Sequence, residues 1–203
     1  MTDWIVIVPV KGTSDAKSRL GAGTARRAAL ARAIALDTVE AAVGSAGVSQ
    51  VVVVTGPDLA PALSGLGAVI VPDPEGGLIA AITSALAVAS ALDADAATAV
   101  LLGDLPGLQP AELSLALAAA SRHPRAMVAD AEGLGTVLIT ATSGQAHAPS
   151  FGSGSRAAHA ALGYRELTGQ WPGLRRDVDT AADLEAVRSG GRLGRRTQEA
   201  LGA

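Results

Sequence analysis

With 203 residues, 49% hydrophobic and 17% charged, the chain is long enough for one globular domain with a sizeable core. A formal net charge of −3 and an aromatic content of 2% give no electrostatic case for nucleic acid or an anionic membrane as partner, and no stacking platform for single strands. The chain has no cysteine, which excludes a disulfide framework and thiolate metal sites and fits a cytoplasmic protein. No basic n-region precedes the first apolar run and no apolar stretch reaches the ~20 residues of a membrane span, so neither a signal peptide nor a membrane helix is expected.

Trp4–Val10 is a continuous apolar run of buried-strand type. It leads into Lys11–Leu20, where Gly12 permits close backbone approach and Lys11, Lys17 and Arg19 supply positive charge. A loop of this kind directly after a strand can hold a polyphosphate, although it lacks the Gly-Lys-Ser/Thr ending of a Walker A loop. Thr24 can cap a helix over 25–43, closed by Gly44 and Gly47. A second strand follows at 50–55, a short helix at 58–63 and a third strand at 68–71. The Pro/Gly turn at 72–77 then feeds a helix over 78–92, and Gly76 and Gly77 at its start are compatible with an anion.

The fourth strand, 97–102, ends in Gly103-Asp104-Leu105-Pro106. Asp104 therefore lies just past the carboxyl end of a buried strand, the rim at which open α/β sheets bind ligands. A carboxylate there can hold Mg²⁺ together with substrate phosphates, and it can equally serve as a turn or helix-cap residue. A helix over 110–121 and strands at 125–129 and 136–140 continue an alternation of strands and helices that argues for a mainly parallel sheet.

The last third begins with a loop at 141–150. Phe151-Gly152-Ser153-Gly154-Ser155 then stands before a helix over 156–162, another small-residue cradle. Residues 164–167 read as an edge strand, and 174–180 as an extended segment with Asp177 and Asp179 on one face. Thr180 and Asp183 form a capping-box pattern for a helix ending near Gly190. There is no linker or repeat, so 1–203 reads as one domain. His123, His147 and His159 read as surface or capping histidines, and no HExxH, CxxC or GxSxG occurs. Phosphate cradles plus carboxylates suited to a hard metal point to nucleotidyl or phosphoryl transfer.

Val8-Pro9-Val10-Lys11, Ala16-Lys17-Ser18-Arg19-Leu20, Val71-Pro72-Asp73-Pro74 with Gly76-Gly77-Leu78, Gly103-Asp104-Leu105-Pro106, Phe151–Ser155 and Asp177-Val178-Asp179-Thr180 occur in that order. The set resembles the CofC/FbiD family, the guanylyltransferases of coenzyme F420 biosynthesis, over residues 4 to 190. The resemblance implies a Rossmann-like α/β nucleotidyltransferase fold with helices on both faces of a mostly parallel sheet. It implies GTP and phosphoenolpyruvate as substrates, with 2-phospho-L-lactate as the alternative acceptor, and pyrophosphate as the leaving group. Thr136, Gly152 and Ser155 would bind the acceptor; Asp104, Asp177 and Asp179 would hold Mg²⁺; Lys11, Gly12, Lys17, Arg19, Gly76 and Gly77 would bind the nucleotide. Asp104 and Lys17 would carry the catalysis, and a homodimer is compatible with this reading.

Two positions depart from the family pattern. Ile79 stands where asparagine is usual, and Gly133-Leu134-Gly135-Thr136-Val137 stands where Gly-Thr-Gly-Thr-Thr is usual, so Leu134 and Val137 each remove a hydroxyl expected near the acceptor pocket. A GTP-binding regulator or inactive paralogue, and a sugar transferase of related fold, are the competing readings.

Overall fold

The computed structural model describes residues 3–10 and 24–202. Among these residues seven strands, β1 (Trp4–Pro9), β2 (Val48–Thr55), β3 (Val69–Pro72), β4 (Ala97–Leu101), β5 (Arg125–Ala129), β6 (Thr136–Ala141) and β7 (Arg165–Glu166), form one sheet in the order β3-β2-β1-β4-β6-β5-β7. Every pairing is parallel except those of β6, which runs antiparallel to both β4 and β5. The expected mostly parallel sheet is present, with this one reversed strand placed inside it. Only a six-residue turn separates β5 from β6, too short for the crossover a parallel pair requires.

Side chains alternate across each strand and so divide the core into two layers. Trp4, Val6 and Val8 of β1 face one side, where they pack with α1 (Thr24–Val43), α2 (Ala60–Ser64) and α4 (Pro110–Ala120). Ile5 and Ile7 face the other side, against α3 (Gly77–Leu92) and a segment that carries Phe151 and Tyr164 next to α5 (Ser155–Ala161). The expected two-sided sandwich follows directly from this alternation. Alanines at the helix faces (Ala81, Ala85 and Ala89 on α3) let the helices sit close to the strands.

The chain then continues through α6 (Pro172–Arg175), α7 (Ala181–Ser189) and α8 (Arg195–Gly202). The capping box expected at Thr180 and Asp183 is formed. The segment expected to be extended over 174–180 is extended only after its first two residues, which close α6; Arg176 and Thr180 have extended backbone, and among the described residues no strand pairs with it. The sequence reading also missed α8, whose N-terminal N–H groups are capped from another helix. Asp37 accepts from Arg196 N–H at 3.2 Å and from Thr197 N–H at 2.8 Å. Among the described residues, no helix is long and apolar enough to cross a membrane.

Candidate active site

The carboxyl ends of β1, β3, β4 and β5 lie at one rim of the sheet, and the reversal of β6 brings its amino end, Thr136, to the same rim. At β4 the chain leaves the sheet with Leu102 N–H donating to Val137 C=O at 3.0 Å. Three residues later it is held again. Leu105 is fully buried and its N–H donates to Thr38 Oγ1 at 3.1 Å, which itself donates to Ile34 C=O at 2.9 Å. Asp104 is thus clamped on both sides and half-buried at the rim.

Asp177 is delivered to the same place by a backbone tie. Val178 N–H donates to Asp104 C=O at 3.0 Å, which sets the two carboxylate-bearing segments side by side. Upstream, α6 is anchored by Glu112, a buried carboxylate on α4. Its two oxygens accept from Gly173 N–H at 3.2 Å and Leu174 N–H at 3.1 Å. Gly173 is required here because a β-carbon would collide with the Gly107 carbonyl and the Glu112 carboxylate. Burial, followed by the charge of Asp104 and then those of Asp179 and Asp130, pushes the Asp177 carboxyl up to about 7. Asp179 is exposed, so the expected pair on one face is divided between a half-buried and a solvated carboxylate.

Asp130 was not singled out from the sequence. Its carboxylate accepts from Leu134 N–H at 2.9 Å and Gly135 N–H at 2.7 Å, which folds the turn that presents Thr136. The Asp-x-x-x-x-Gly spacing across a Gly-rich turn was the available signal. Among the described residues, no three acidic or histidine side chains converge into a closed metal cage.

The residues expected to bind the acceptor also come together. Ser155 is buried at the start of α5, and Arg156 N–H donates to Leu134 C=O at 3.2 Å, joining α5 to the turn before Thr136. Gly152 and Gly154 hold φ of 132° and 72°, left-handed conformations that permit the tight turn into α5. His159, one turn into α5, is fully buried, with Nδ1 3.0 Å from Thr136 Oγ1 and Nε2 accepting from Ser150 N–H at 2.9 Å. His147 is also covered, against Thr98 and Tyr164. The expectation of surface or capping histidines is therefore wrong for His159, whose ring is enclosed by Ser150 and Thr136, while His147 is half-buried between Thr98 and Tyr164.

Val137 requires a correction. The register of β5 against β6 slips between Val128 and Ala129, which makes Val137 the extra residue of a bulge, and it is fully buried in the larger apolar layer. A hydroxyl at this position would face the core, so the valine takes nothing from an acceptor pocket. Leu134 and Ile79 are exposed, as are Gly76 and Gly77. The two glycines open α3 without any side-chain cap at the end of β3, on the rim but across β2 and β1 from Asp104. Lys11, Gly12, Lys17 and Arg19 lie outside the described residues.

Residues 18–180 match the model of the MobA-like NTP transferase domain. A phosphoenolpyruvate guanylyltransferase from Thermomonospora curvata is 48% identical over 91% of this chain and 82% of its own length, and one from Salinispora arenicola is 48% identical over 96% and 91%. The fold is shared with a putative nucleotide-diphospho-sugar transferase from Desulfovibrio desulfuricans G20 (TM-score 0.73, 16% identity, 99% of this chain and 94% of that one). It is shared also with a protein of Mycobacterium tuberculosis H37Rv solved as a manganese complex (TM-score 0.56, 21% identity, 92% and 97%). The chain belongs to the MobA-like NTP transferase family, in the branch whose curated members are named phosphoenolpyruvate guanylyltransferase.

Proposed function

We propose that the chain transfers GMP from GTP to phosphoenolpyruvate, releasing pyrophosphate, as the activation step of coenzyme F420 biosynthesis in the cytoplasm. The observation that supports this most is the meeting of two half-buried carboxylates, Asp104 and Asp177, with the Thr136–Ser155 cradle at one rim, in a chain 48% identical to enzymes of that name. A phosphate oxygen of the acceptor attacks the α-phosphorus of GTP; the new O–Pα bond forms as the bond from Pα to the bridging oxygen breaks, and that electron pair leaves with pyrophosphate. The attacking oxygen is already ionised at neutral pH, so no general base is required. His159 is unsuited to be one, since both its ring nitrogens are engaged and burial lowers its pKa.

The donor set fits a divalent cation. Two repelling carboxylates, one of them pushed up to about 7, gain from a shared positive charge. Mg²⁺ is ordinarily held by one or two carboxylates plus substrate phosphates, not by a closed protein cage. Asp104 and Asp177 would hold it, with Asp179 at the solvent edge. When bound, the ion would neutralise the repulsion between acceptor phosphate and α-phosphate. Thr136, Gly152 and Ser155 would bind the acceptor's phosphate and carboxylate. Lys11, Gly12, Lys17 and Arg19, with Gly76 and Gly77, would bind the triphosphate and nucleoside of GTP.

The test is pyrophosphate release from GTP and Mg²⁺ with phosphoenolpyruvate or 2-phospho-L-lactate. Phosphoenolpyruvate should be preferred. Preference for 2-phospho-L-lactate would reassign the acceptor, and GTP binding without turnover under either would replace the enzyme by a regulator.

A further inference from the structure

Among the described residues, His159 is the most deeply buried titratable group near the proposed site, and the reaction leaves it without a chemical part. Its hydrogen bonds settle its proton. Ser150 N–H is a backbone donor and can only donate, so Nε2, 2.9 Å away, is the acceptor and carries no proton. The single proton of the neutral ring is then on Nδ1, which lies 3.0 Å from Thr136 Oγ1 and also faces the backbone of Ser155, four residues earlier on α5. Thr136 Oγ1 consequently receives a hydrogen bond from the core side. Its own hydrogen is then left for a second acceptor.

We propose that His159 is a positioning residue that commits the Thr136 hydroxyl to donate to the anionic acceptor. The inference rests on the reading of Thr136 as part of the acceptor site. A threonine hydroxyl without such a partner rotates among several partners and can present a lone pair to the ligand, which repels a phosphate or carboxylate oxygen. Held by the Nδ1–H, it presents a donor. Three observations from separate parts of the chain agree on this assignment. The Ser150 N–H orients the ring, edge-on contacts with Phe151 and Tyr164 keep it from flipping, and the Asp130 turn delivers Thr136 to it.

The arrangement also explains a feature of the 141–150 loop. Ala148 N–H donates to Tyr164 Oη at 2.8 Å and His147 is held by Thr98. The loop is thereby fixed against the sheet just before Ser150, so the N–H that sets the tautomer does not drift.

The test has two arms. In the metal-free, ligand-free protein at pH 7, ¹⁵N shifts of the His159 ring should show a neutral imidazole protonated at Nδ1. An Nε2-protonated ring or an imidazolium would overturn the inference whatever the acceptor proves to be. In the second arm, Thr136→Val and His159→Phe should each raise the KM for the acceptor about tenfold, the effect of losing one hydrogen bond to a charged group, with the KM for GTP unchanged. His159→Asn keeps a donor near the Nδ1 position and should stay within about threefold of wild type. In the Thr136→Val background, His159→Phe should add less than about twofold, since a residue acting through Thr136 has nothing left to orient. Independent, multiplying effects of the two substitutions would overturn the inference while sparing the acceptor-site reading. An unchanged acceptor KM in Thr136→Val alone would overturn both. If His159→Phe fails to fold, the His159→Asn variant and the tautomer measurement still decide.

Discussion

Removing the carboxylate of Glu112 should loosen the segment that carries Asp177, sixty-five positions further along the chain. Glu112 lies on α4 with its side chain 10% exposed, and it is the acceptor for two N–H groups in the first turn of α6, at 3.2 and 3.1 Å. Arg192 reaches the same carboxylate at 3.3 Å but is 44% exposed, so water replaces that partner at little cost. The two N–H groups cannot be rehydrated so easily, because Gly173 and Leu174 are buried. Leaving a buried donor unmatched costs ~1–3 kcal/mol, so losing the acceptor for two of them in Glu112→Ala should destabilise the protein by about 2–6 kcal/mol. For a chain of this size, at about 2–4 °C per kcal/mol, that lowers Tm by roughly 4–24 °C.

Glu112→Gln keeps one acceptor oxygen and should lose about half as much. Denaturant unfolding measures the stability, and titration of pyrophosphate release with Mg²⁺ measures the functional consequence. The Mg²⁺ requirement should rise in Glu112→Ala, because the position of Asp177 beside Asp104 depends on the chain from α6 onward. A Glu112→Ala variant within about 0.5 kcal/mol of wild type, an ordinary surface effect, would refute the reasoning: α6 would then hold its place without the carboxylate.

Asp104→Asn should abolish most Mg²⁺-dependent turnover while leaving the melting temperature close to wild type; global unfolding would instead identify Asp104 as a structural turn residue. Val137→Thr should cost about 1–2 kcal/mol by placing a hydroxyl in the core and leave the acceptor KM unchanged, as thermal melts and steady-state kinetics can establish. His147 gives a pH prediction. Burial lowers its pKa from 6.5 to about 4, so between those values the unfolded chain binds the proton that the folded one refuses. Its neutral form therefore supports the fold above pH 6.5, and that support is lost as pH falls toward 4, by at most about 3 kcal/mol. Urea melts at pH 7.5 and 5 should show a smaller loss of stability in His147→Gln, whose amide nitrogen can keep the bond to Thr98; an equal loss would remove His147 as the cause.

Much of the architecture was readable because each buried strand is a short apolar run closed by Gly, Pro or Asp. The runs at 50–55 and 97–102 are of this kind, and they match β2 (Val48–Thr55) and β4 (Ala97–Leu101) to within two residues at each end. What escaped depends on contacts between distant parts of the chain. Arg195–Gly202 is polar and follows two glycines, so it reads as a tail; it becomes a helix because Asp37, on α1, caps it. The carboxylate at Asp104 was legible from Gly-Asp-Leu-Pro, whereas the role of Asp130 needed the turn it folds. His159 was misread because nothing in Arg-Ala-Ala-His-Ala-Ala shows that its ring lies against β6.

The single reversed strand decides where the proposed site can be. Val100 and Leu101 pair antiparallel with Ile139 and Leu138, so the start of β6 meets the end of β4. Had β6 run parallel to its neighbours, Thr136 would lie at the opposite edge, about 17 Å away for five residues at ~3.3 Å each. The proposed acceptor cradle would then be separated from Asp104 by the length of the strands. Three devices hold β6 in its reversed place: the short Asp130 turn prevents a crossover, the bulge at Val137 re-aims the chain, and His159 grips Thr136 from α5. An alternating strand–helix pattern predicts none of them. Joining the rim of parallel strands to the proposed acceptor cradle therefore depends on the strand that, among the described residues, departs from that pattern.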